Sequence, residues 1–457
     1  MTYPLLVMML CLSWPDLDKP QSEKPSLASA PAETPDFTGD WPQFRGPDGQ
    51  GHANAEKLPS KWSELTNIAW KTELPGHGWS SPVIQGNNIW MTAAVTEGSS
   101  LKLLRVDKTT GKLEQEITVF QVPTPGKVHS KNSHASPTPI FNDGKIYVHF
   151  GAHGTASLDE TGKILWKTTL NYYHHHGPAA SPILVGQRLI IPCDGYEKSF
   201  YDGETKSGVS DFQFVAALKI DSGEVDWKTV RKGRHSYATP LLIELEGKQQ
   251  IISPGGDRVA AYDPETGAEI WSIRYTGYSV IPRPVYGNGL LYVCTGYDTA
   301  QLLAIRPNGK GDVTETHIAW TYKQSVPFTP SPILVGEELY LVSDSGIATC
   351  LNAQTGKMLW KRRLGGNFSA SPLLADNKLY FVSEEGTTHV LEPAKEYKRL
   401  SMNKVNGTTF ASLAVSGSAL FLRSDKALYR IEERAKSSPK SKTATPKTDK
   451  PKQQSAS

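Results

Sequence analysis

One sequence unit recurs eight times between Ser81 and Leu428, and this repetition constrains the fold more than any other feature of the chain. Each unit opens with a small residue, a hydroxyl residue, a proline and an aliphatic residue. A turn, a short apolar strand and an Asp-Thr-Gly turn follow, often with a tryptophan four residues after the glycine. The openings are Ser81-Pro82, Ser136-Pro137, Ser181-Pro182, Thr239-Pro240, Arg283-Pro284, Ser331-Pro332, Ser371-Pro372 and a degenerate Ser412-Leu413. A period of 40 to 58 residues built from short strands is typical of propeller blades.

The prolines and tryptophans predict where each strand lies within its blade. Proline cannot donate to the hydrogen-bond ladder of a sheet, so within sheets it belongs on edge strands. The innermost strand of a propeller blade is such an edge, and we therefore place the first strand of every unit on the axis. The tryptophans fall on outer strands, where large rings fill the space between neighbouring sheets. They are Trp166, Trp227, Trp271, Trp320 and Trp360.

The two ends of the repeat region predict how the ring closes. The eighth unit ends with a third strand at 427–431 and lacks an outer strand, while an unassigned strand stands at the front, at 68–72. We therefore predict an all-β protein, an eight-bladed β-propeller over residues 68–434 with an N-terminal strand closing the last blade. A lead-in segment at 37–67 precedes the ring.

The remaining termini indicate export rather than further folded domains. Residues 1–36 combine a short apolar run with a Pro/Ser-rich linker and are predicted to be a signal-like segment. Cys11 follows Leu10 instead of a small residue, so lipidation is the less favoured alternative. Residues 435–457, rich in Lys, Pro, Ser and Thr, are predicted to be disordered. We expect an extracytoplasmic protein, periplasmic or secreted, with envelope association as a further option.

Two motifs resemble a known family. The run from Ala261-Tyr262-Asp263 through Thr266-Gly267 to Trp271 resembles the tryptophan-docking motif of the PQQ-type eight-bladed β-propellers. The opening Trp-Pro-Gln-Phe-Arg-Gly-Pro at 41–47 is similar to the lead-in of that superfamily. The resemblance implies the fold over most of the chain. The superfamily includes quinoprotein dehydrogenases, which hold PQQ and calcium on the axis, and non-catalytic scaffolds such as the outer-membrane assembly factor BamB.

The chain departs from the enzymes of that superfamily. Their alcohol-oxidising members usually carry a vicinal cysteine pair, and no two cysteines here stand within 50 residues of each other. No calcium-ligand set matches residue by residue, and there is no Cys-x-x-Cys-His haem segment. We therefore expect no cofactor, keep PQQ with calcium as an alternative, and leave open whether the chain is an enzyme. Any metal site stays unknown.

Four histidines recur at one place in consecutive units. His77, His134, His176 and His235 precede their prolines by three to six residues. An outer strand crosses there to the next inner strand, and all such crossings surface on one face of a propeller. We predict that these imidazoles line one half of an axial funnel, where they would act as metal ligands or general bases. The alternative is that they are ordinary polar loop residues.

Arg283 stands where every other full repeat has Ser or Thr. A guanidinium near the axis suits a carboxylate or phosphate; the alternative is a salt bridge, for instance to Asp298 or Asp257. Aromatic residues at the same mouth would give a flat ligand stacking surfaces, or else they pack the loops. These aromatic residues are Trp79, Tyr172, Tyr173, Tyr237, Tyr278, Phe328, Phe368 and Phe410. The candidate ligand-binding or cofactor-binding residues are thus His77, Trp79, His134, His176, His235 and Arg283.

Three functions remain open at this point. The first is a non-catalytic extracytoplasmic propeller that binds a protein partner or small ligand at its axial face. The second is a PQQ-dependent oxidoreductase in which Arg283 contacts a quinone carboxylate and a histidine acts as base. The third, a BamB-like outer-membrane assembly scaffold, rests on analogy of fold. A net charge of +3 gives no reason to expect a nucleic-acid partner, and we expect a monomer.

Overall fold

The computed structural model describes residues 39–174, 176–195 and 213–433. The predicted signal-like segment and the predicted tail lie outside these residues. Within the described ranges, no helix is long and apolar enough to cross a membrane.

Alternating apolar strands form eight antiparallel sheets around one axis. Two strands, β1 (His52–Ala53) and β2 (Ile68–Glu73), precede the first complete blade. Blade one consists of β3 (Val83–Gln85), β4 (Asn88–Val95), β5 (Ser100–Asp107) and β6 (Leu113–Gln121), and blade two of β7 (Ile140–Asn142), β8 (Lys145–His149), β9 (Thr155–Asp159) and β10 (Ile164–Thr168). Blade three consists of β11 (Ile183–Val185), β12 (Arg188–Asp194), β13 (Gln213–Lys219) and β14 (Val225–Val230), and blade four of β15 (Leu241–Leu245), β16 (Lys248–Gly255), β17 (Arg258–Tyr262) and β18 (Glu269–Arg274).

The second half of the ring repeats this plan. Blade five consists of β19 (Val285–Gly287), β20 (Leu290–Cys294), β21 (Leu302–Ile305), β22 (Gly311–Asp312) and β23 (Ile318–Tyr322), and blade six of β24 (Ile333–Val335), β25 (Glu338–Val342), β26 (Ile347–Asn352) and β27 (Met358–Arg363). Blade seven consists of β28 (Leu373–Ala375), β29 (Lys378–Val382), β30 (Thr387–Leu391) and β31 (Arg399–Lys404), and blade eight contains β32 (Ala414–Ser416), β33 (Ala419–Arg423) and β34 (Ala427–Glu432). β22 leaves blade five to pair in parallel with β18 of blade four. Short helical segments lie at Thr96–Gly98, Gly151–His153 and α1 (Thr314–His317).

The N-terminal strand completes the last blade. β2 pairs antiparallel with β34, from Ile68 opposite Ile431 to Glu73 opposite Ala427. Blade eight therefore has the order β2-β34-β33-β32, with its outer strand taken from the front of the chain. The prediction of an eight-bladed ring closed in this way is confirmed.

Blade two corrects the register that the repeat predicts. β7 begins at Ile140, so the opening of this blade is Thr138-Pro139 and the choice of Ser136-Pro137 was wrong. The run Ser-Pro-Thr-Pro at 136–139 fits the repeat in two registers. A long-range hydrogen bond decides between them, because the amide of Ser81 donates to Oγ1 of Thr138 at 3.0 Å.

The outer-strand tryptophans connect each blade to the next. Nε1 of Trp166 donates to the carbonyl of Ile220 at 2.8 Å, and Nε1 of Trp227 donates to that of Pro264 at 3.0 Å. Gly267, with φ of 70°, lies so close that a Cβ there would come within 2.4 Å of the Trp227 ring. The turn glycine is therefore required by both its backbone angle and this contact. Trp271 differs, because it donates to Oε1 of Gln250 within its own blade at 2.8 Å.

Candidate functional site

The lead-in segment closes one end of the axial channel. Trp41 exchanges two backbone hydrogen bonds with Ile84 of blade one, at 2.8 and 2.9 Å. The amide of Phe141 in blade two donates to the carbonyl of Pro42 at 2.9 Å, and β1 pairs in parallel with β28 of blade seven. Residues 41–51, which we call the plug, thus lie against the inner strands from several sides of the ring.

Two buried arginines hold the plug in place. Arg45, only 1% exposed, donates through Nη2 to the carbonyl of Pro332 in blade six at 2.8 Å. Arg283, only 3% exposed, donates through Nε to the carbonyl of Pro240 at 2.9 Å and through Nη1 to that of Phe44 at 2.8 Å. Burial lowers the pKa of Arg283 to about 10 and that of Arg45 to about 9. Both guanidinium groups are therefore bound by carbonyl oxygens within the fold.

The alternative of a salt bridge from Arg283 to Asp257 or Asp298 was wrong. Asp257 and Asp298 both pair with Arg234, at 2.6 and 3.0 Å. Arg283 does lie near the axis, as its place in the repeat predicts. The plug covers it, however, because a side-chain carbon on Gly49 would approach its Nη1 to 2.4 Å.

Above the plug the axis widens into a funnel with a cavity of about 480 Å³. Phe44 of the plug lies at its floor, and residues from the loops between blades form its wall. This volume falls within the range of small-ligand pockets, about 300 to 1,000 Å³. The residues that line it include Phe44, Trp79, His129, Lys131, His176, Tyr278, Tyr297, Phe328, Asp344 and Phe410, with seven Ser and Thr residues that stand just before the inner strands.

A ring of hydroxyl groups surrounds the floor of the funnel. The backbone amide at the opening of one blade donates to the hydroxyl at the same position of the next blade, at 2.9 to 3.1 Å. The seven residues of this hydroxyl ring are Ser81, Thr138, Ser181, Thr239, Ser331, Ser371 and Ser412. Arg283 occupies the eighth position. The repeat therefore keeps a hydroxyl before its proline because that group links neighbouring blades.

Aromatic rings in edge-to-face and tilted contacts form one side of the wall. Successive ring centroids from His129 to His176 and His235 lie 5.4 and 5.6 Å apart. The series continues from His235 to Tyr278, Tyr297 and Phe328 with separations of 5.2, 5.6 and 5.6 Å. We call these six residues the aromatic belt. Where blade eight meets blade one, the ring of Trp79 packs against that of Phe410, with a distance of 4.5 Å between their centroids.

The structure brings only part of the predicted site together. His176 and Trp79 line the funnel. The ring centroid of His235 lies 5.6 Å from that of His176, and Nε2 of His235 lies 2.7 Å from Oγ of Ser279. His77 is exposed and contacts the edge of Trp79 at 4.8 Å. His134 is buried and lies apart from the aromatic belt, against His153 at 5.6 Å. The expectation of four imidazoles on one funnel wall was therefore wrong for His134, and for His77 only an indirect contact through Trp79 remains.

His134 belongs to a second histidine cluster between blades one, two and three. His153 lies between His134 and His174, at 5.6 and 4.9 Å, and Nδ1 of His174 accepts the amide of Ala152 at 3.0 Å. Desolvation by burial, aided by the neighbouring imidazoles, lowers the pKa of His153 to about 4 and that of His174 well below its ordinary value. Among the described residues, no group of three or more His, Cys, Asp or Glu side chains is arranged to hold a metal ion.

A loop from blade one to blade two reaches across the funnel mouth. Residues 122–133, which we call the strap, bond to the carbonyl of His176 through the amide of His129 at 3.1 Å and Nδ2 of Asn132 at 2.8 Å. Nζ of Lys131 pairs at 2.8 Å with Glu384 of blade seven, which is separated from blade two by blades eight and one. The strap therefore spans part of the entrance.

The funnel does not fit PQQ with calcium in the way that the quinoprotein alternative requires. Arg283, its proposed carboxylate partner, lies beneath Phe44 and is 3% exposed. Asp344, at the wall, already accepts the amide of Phe328 at 2.7 Å, and Glu384 is paired with Lys131. We therefore derive no step that involves this cofactor.

Sequence reasoning missed several residues of the site. Phe44 and Tyr297 line the funnel, yet neither lies in a recurring position of the repeat. The hydroxyl ring had a visible signal, since a Ser or Thr precedes each proline, but its role in joining blades depends on contacts between units.

Known protein families include one whose model covers the whole propeller. A family model, PQQ_2, described as "Outer membrane protein assembly factor BamB", matches residues 67–234 and 211–441. The chain belongs to the PQQ_2 family. The matched residues extend from just before β2 to beyond β34, so that they include all eight blades.

Individual members of this family are distant in sequence. The outer membrane protein assembly factor BamB of Shewanella oneidensis is 22% identical over 241 residues, or 50% of this chain. The match spans 56% of that relative's length. The crystal structure of BamB from Moraxella catarrhalis superposes with a TM-score of 0.56 at 16% identity, covering 80% of this chain and 100% of that one. This likeness supports the propeller fold.

Proposed function

We propose that this protein is a non-catalytic, extracytoplasmic scaffold associated with the cell envelope, and that it acts in outer membrane protein assembly. The family match over all eight blades supports this role. We further propose that the face with the funnel and strap binds a protein partner or a small ligand.

One observation carries the proposal, namely that the funnel has the volume of a binding site while its charged side chains are engaged in contacts within the fold. Lys131 pairs with Glu384, Asp344 accepts the amide of Phe328, and Arg283 is bound under the plug. General acid–base catalysis needs a group within hydrogen-bond reach of a substrate proton. These charged groups instead hold loops in place, which suits a rigid binding surface.

The envelope role is tested by deleting the gene in the organism that encodes this chain. We expect the amounts of several outer membrane proteins to fall, as measured by quantitative proteomics of the outer membrane fraction. Expression of the full chain should restore them. Unchanged outer membrane proteins in the deletion strain would overturn the assembly role.

The non-catalytic assignment is tested by titrating the full chain with PQQ, with and without calcium. Binding near the tryptophans of the funnel would quench their fluorescence. We expect no saturable quenching under either condition. Saturable quenching that Trp79→Leu reduces would show that PQQ occupies the funnel and would favour the oxidoreductase alternative.

A further inference from the structure

The walls and floor of the funnel differ in chemistry. The aromatic belt, together with Trp79 and Phe410, gives the wall the faces and edges of aromatic rings. The floor is ringed by seven hydroxyl groups that all line the cavity. A ligand of this funnel must therefore combine an apolar face with groups that hydrogen-bond to hydroxyls.

The hydroxyl ring is able to donate as well as to accept. A Ser or Thr hydroxyl has one donor and two acceptor lone pairs. Each hydroxyl of the ring accepts a backbone amide, for example Thr239 from Ser181 at 2.9 Å, and so retains its own O–H. Ser371 donates its O–H to Oγ of Ser331 at 3.0 Å. The remaining members present donors to the cavity without adding any charge.

The charges at the funnel disfavour an anionic ligand. The cations nearest the axis, Arg45 and Arg283, are bound to carbonyls in and below the plug. Lys131 at the wall is neutralised by Glu384 at 2.8 Å. An anion would therefore lose its hydration without gaining a guanidinium partner, and a charge buried without a partner is costly. Asp344 at the wall already accepts the amide of Phe328 at 2.7 Å, and the cationic comparison in the titration below tests whether its charge still attracts a cation.

The shape of the funnel favours a compact group that enters end-on. Phe44 and the plug close the floor, so an extended chain has no exit through the axis. The strap narrows the entrance by joining Lys131 to Glu384. The end of a longer molecule fits this space, with the rest of that molecule leaving past the strap.

We propose that the funnel binds the terminal sugar unit of a neutral glycan. The C–H face of a pyranose ring carries partial positive charge and stacks on the negative face of aromatic rings. Its hydroxyl groups both donate and accept, which matches the rotating O–H groups of the hydroxyl ring. This inference rests on the proposed function, in which the same funnel is a binding site.

The experiment is a titration of the full chain with maltose, chitobiose and methyl galactoside at millimolar concentrations, followed by saturation-transfer NMR and calorimetry. Glucuronate serves as the anionic comparison and choline as the cationic one. We expect saturable binding of at least one neutral sugar, with transfer strongest at its ring protons. Failure of all three neutral sugars to bind, or tighter binding of glucuronate or choline, would overturn the inference.

Variants locate the sugar within the molecule. Tyr297 is 55% exposed, so Tyr297→Ala should fold and weaken sugar binding by about two- to tenfold. Tyr397, which packs on Trp360 outside the funnel, provides the control Tyr397→Ala. Equal affinity of the wild type and Tyr297→Ala would place the sugar elsewhere. If the protein binds no sugar but deletion of its gene still depletes outer membrane proteins, the glycan inference is wrong and the proposed role in assembly stands.

Discussion

At the scale of single residues, burial gives the histidine cluster a defined dependence on pH. His149, at the end of β8, interacts with His153 and His174 of this cluster. Desolvation, with a smaller contribution from His153, lowers the pKa of His149 from 6.5 to about 3, and burial lowers that of His153 to about 4. The unfolded chain therefore binds more protons than the folded chain below pH 6.5. Stability from this cluster is complete above that pH and is lost progressively as the pH falls toward 4.

We therefore predict that His153→Gln makes the stability less dependent on pH. Each histidine with a lowered pKa accounts for at most about 1.4 kcal/mol of unfolding free energy per pH unit in this window. The measurement is urea unfolding at about pH 7 and about pH 5, where the wild type should lose more stability than the variant. His317→Gln, on the outside of blade five, serves as the control. Identical losses in the wild type and in His153→Gln would contradict the prediction.

Single residues also show where sequence reasoning about the site ends. The place of Arg283 near the axis followed from its position in the repeat. That the plug covers Arg283 could not be predicted, because Phe44 and Gly49, which contact it, stand more than 230 positions earlier in the chain. His134 was assigned to the funnel by its distance from the opening proline, and from the true opening Thr138-Pro139 it still stands five residues before that proline, as His77 and His235 do before theirs. Its burial against His153 instead depends on a contact that the repeat does not encode.

At the scale of elements, the strands were predictable because each blade carries its own local signals. Proline marks the inner strand, an Asx turn marks the next hairpin, and a tryptophan marks the outer strand. The plug has no repeat and no regular strand, and the two-residue strand β1 follows it. Its place depends on a few long-range hydrogen bonds, such as the two between Trp41 and Ile84. Pattern alone does not encode such contacts.

The strap is the element whose attachment is most readily tested. Lys131→Ala removes its ion pair with Glu384, in which the lysine side chain is 44% exposed. We expect a modest loss of stability, about 1 kcal/mol, because the lysine is partly exposed and because Glu384, although only 12% exposed, still accepts the hydroxyl of Ser369 at 2.6 Å. Hydrogen exchange at 122–133 should nevertheless accelerate, since this contact connects the strap to blade seven.

Two comparisons make the strap experiment specific. Lys145→Ala breaks another exposed ion pair, with Asp221, and should leave exchange in the strap unchanged. The exchanged pair Lys131→Glu with Glu384→Lys should restore protection that either single reversal removes. Protection at 122–133 that is the same in the wild type and in Lys131→Ala would show that the strap is held from the His176 side alone.

At the scale of the whole molecule, one joint closes the ring. Trp70 on β2 donates through Nε1 to the carbonyl of Lys108 in blade one at 3.0 Å. A side-chain carbon on Gly111 would come within 2.6 Å of its ring. Trp227 makes the equivalent contacts between blades three and four, with Pro264 and Gly267. The closing joint therefore repeats the chemistry of an internal one, although β2 reaches its sheet from the opposite end of the propeller sequence.

If the two joints are equivalent, Trp70→Ala and Trp227→Ala should destabilise the protein alike. Loss of a packed tryptophan ring costs about 3 to 5 kcal/mol of unfolding free energy. Trp70→Phe keeps much of the packing but loses the N–H donor, and should cost about 1 kcal/mol. Urea unfolding followed by far-ultraviolet circular dichroism measures all three. Other bonds also join blade eight to blade one, such as that from the amide of Ser412 to Oγ of Ser81 at 3.1 Å. A Trp70→Ala variant as stable as the wild type would therefore mean that these bonds hold the ring and that the tryptophan of β2 contributes little to its closure.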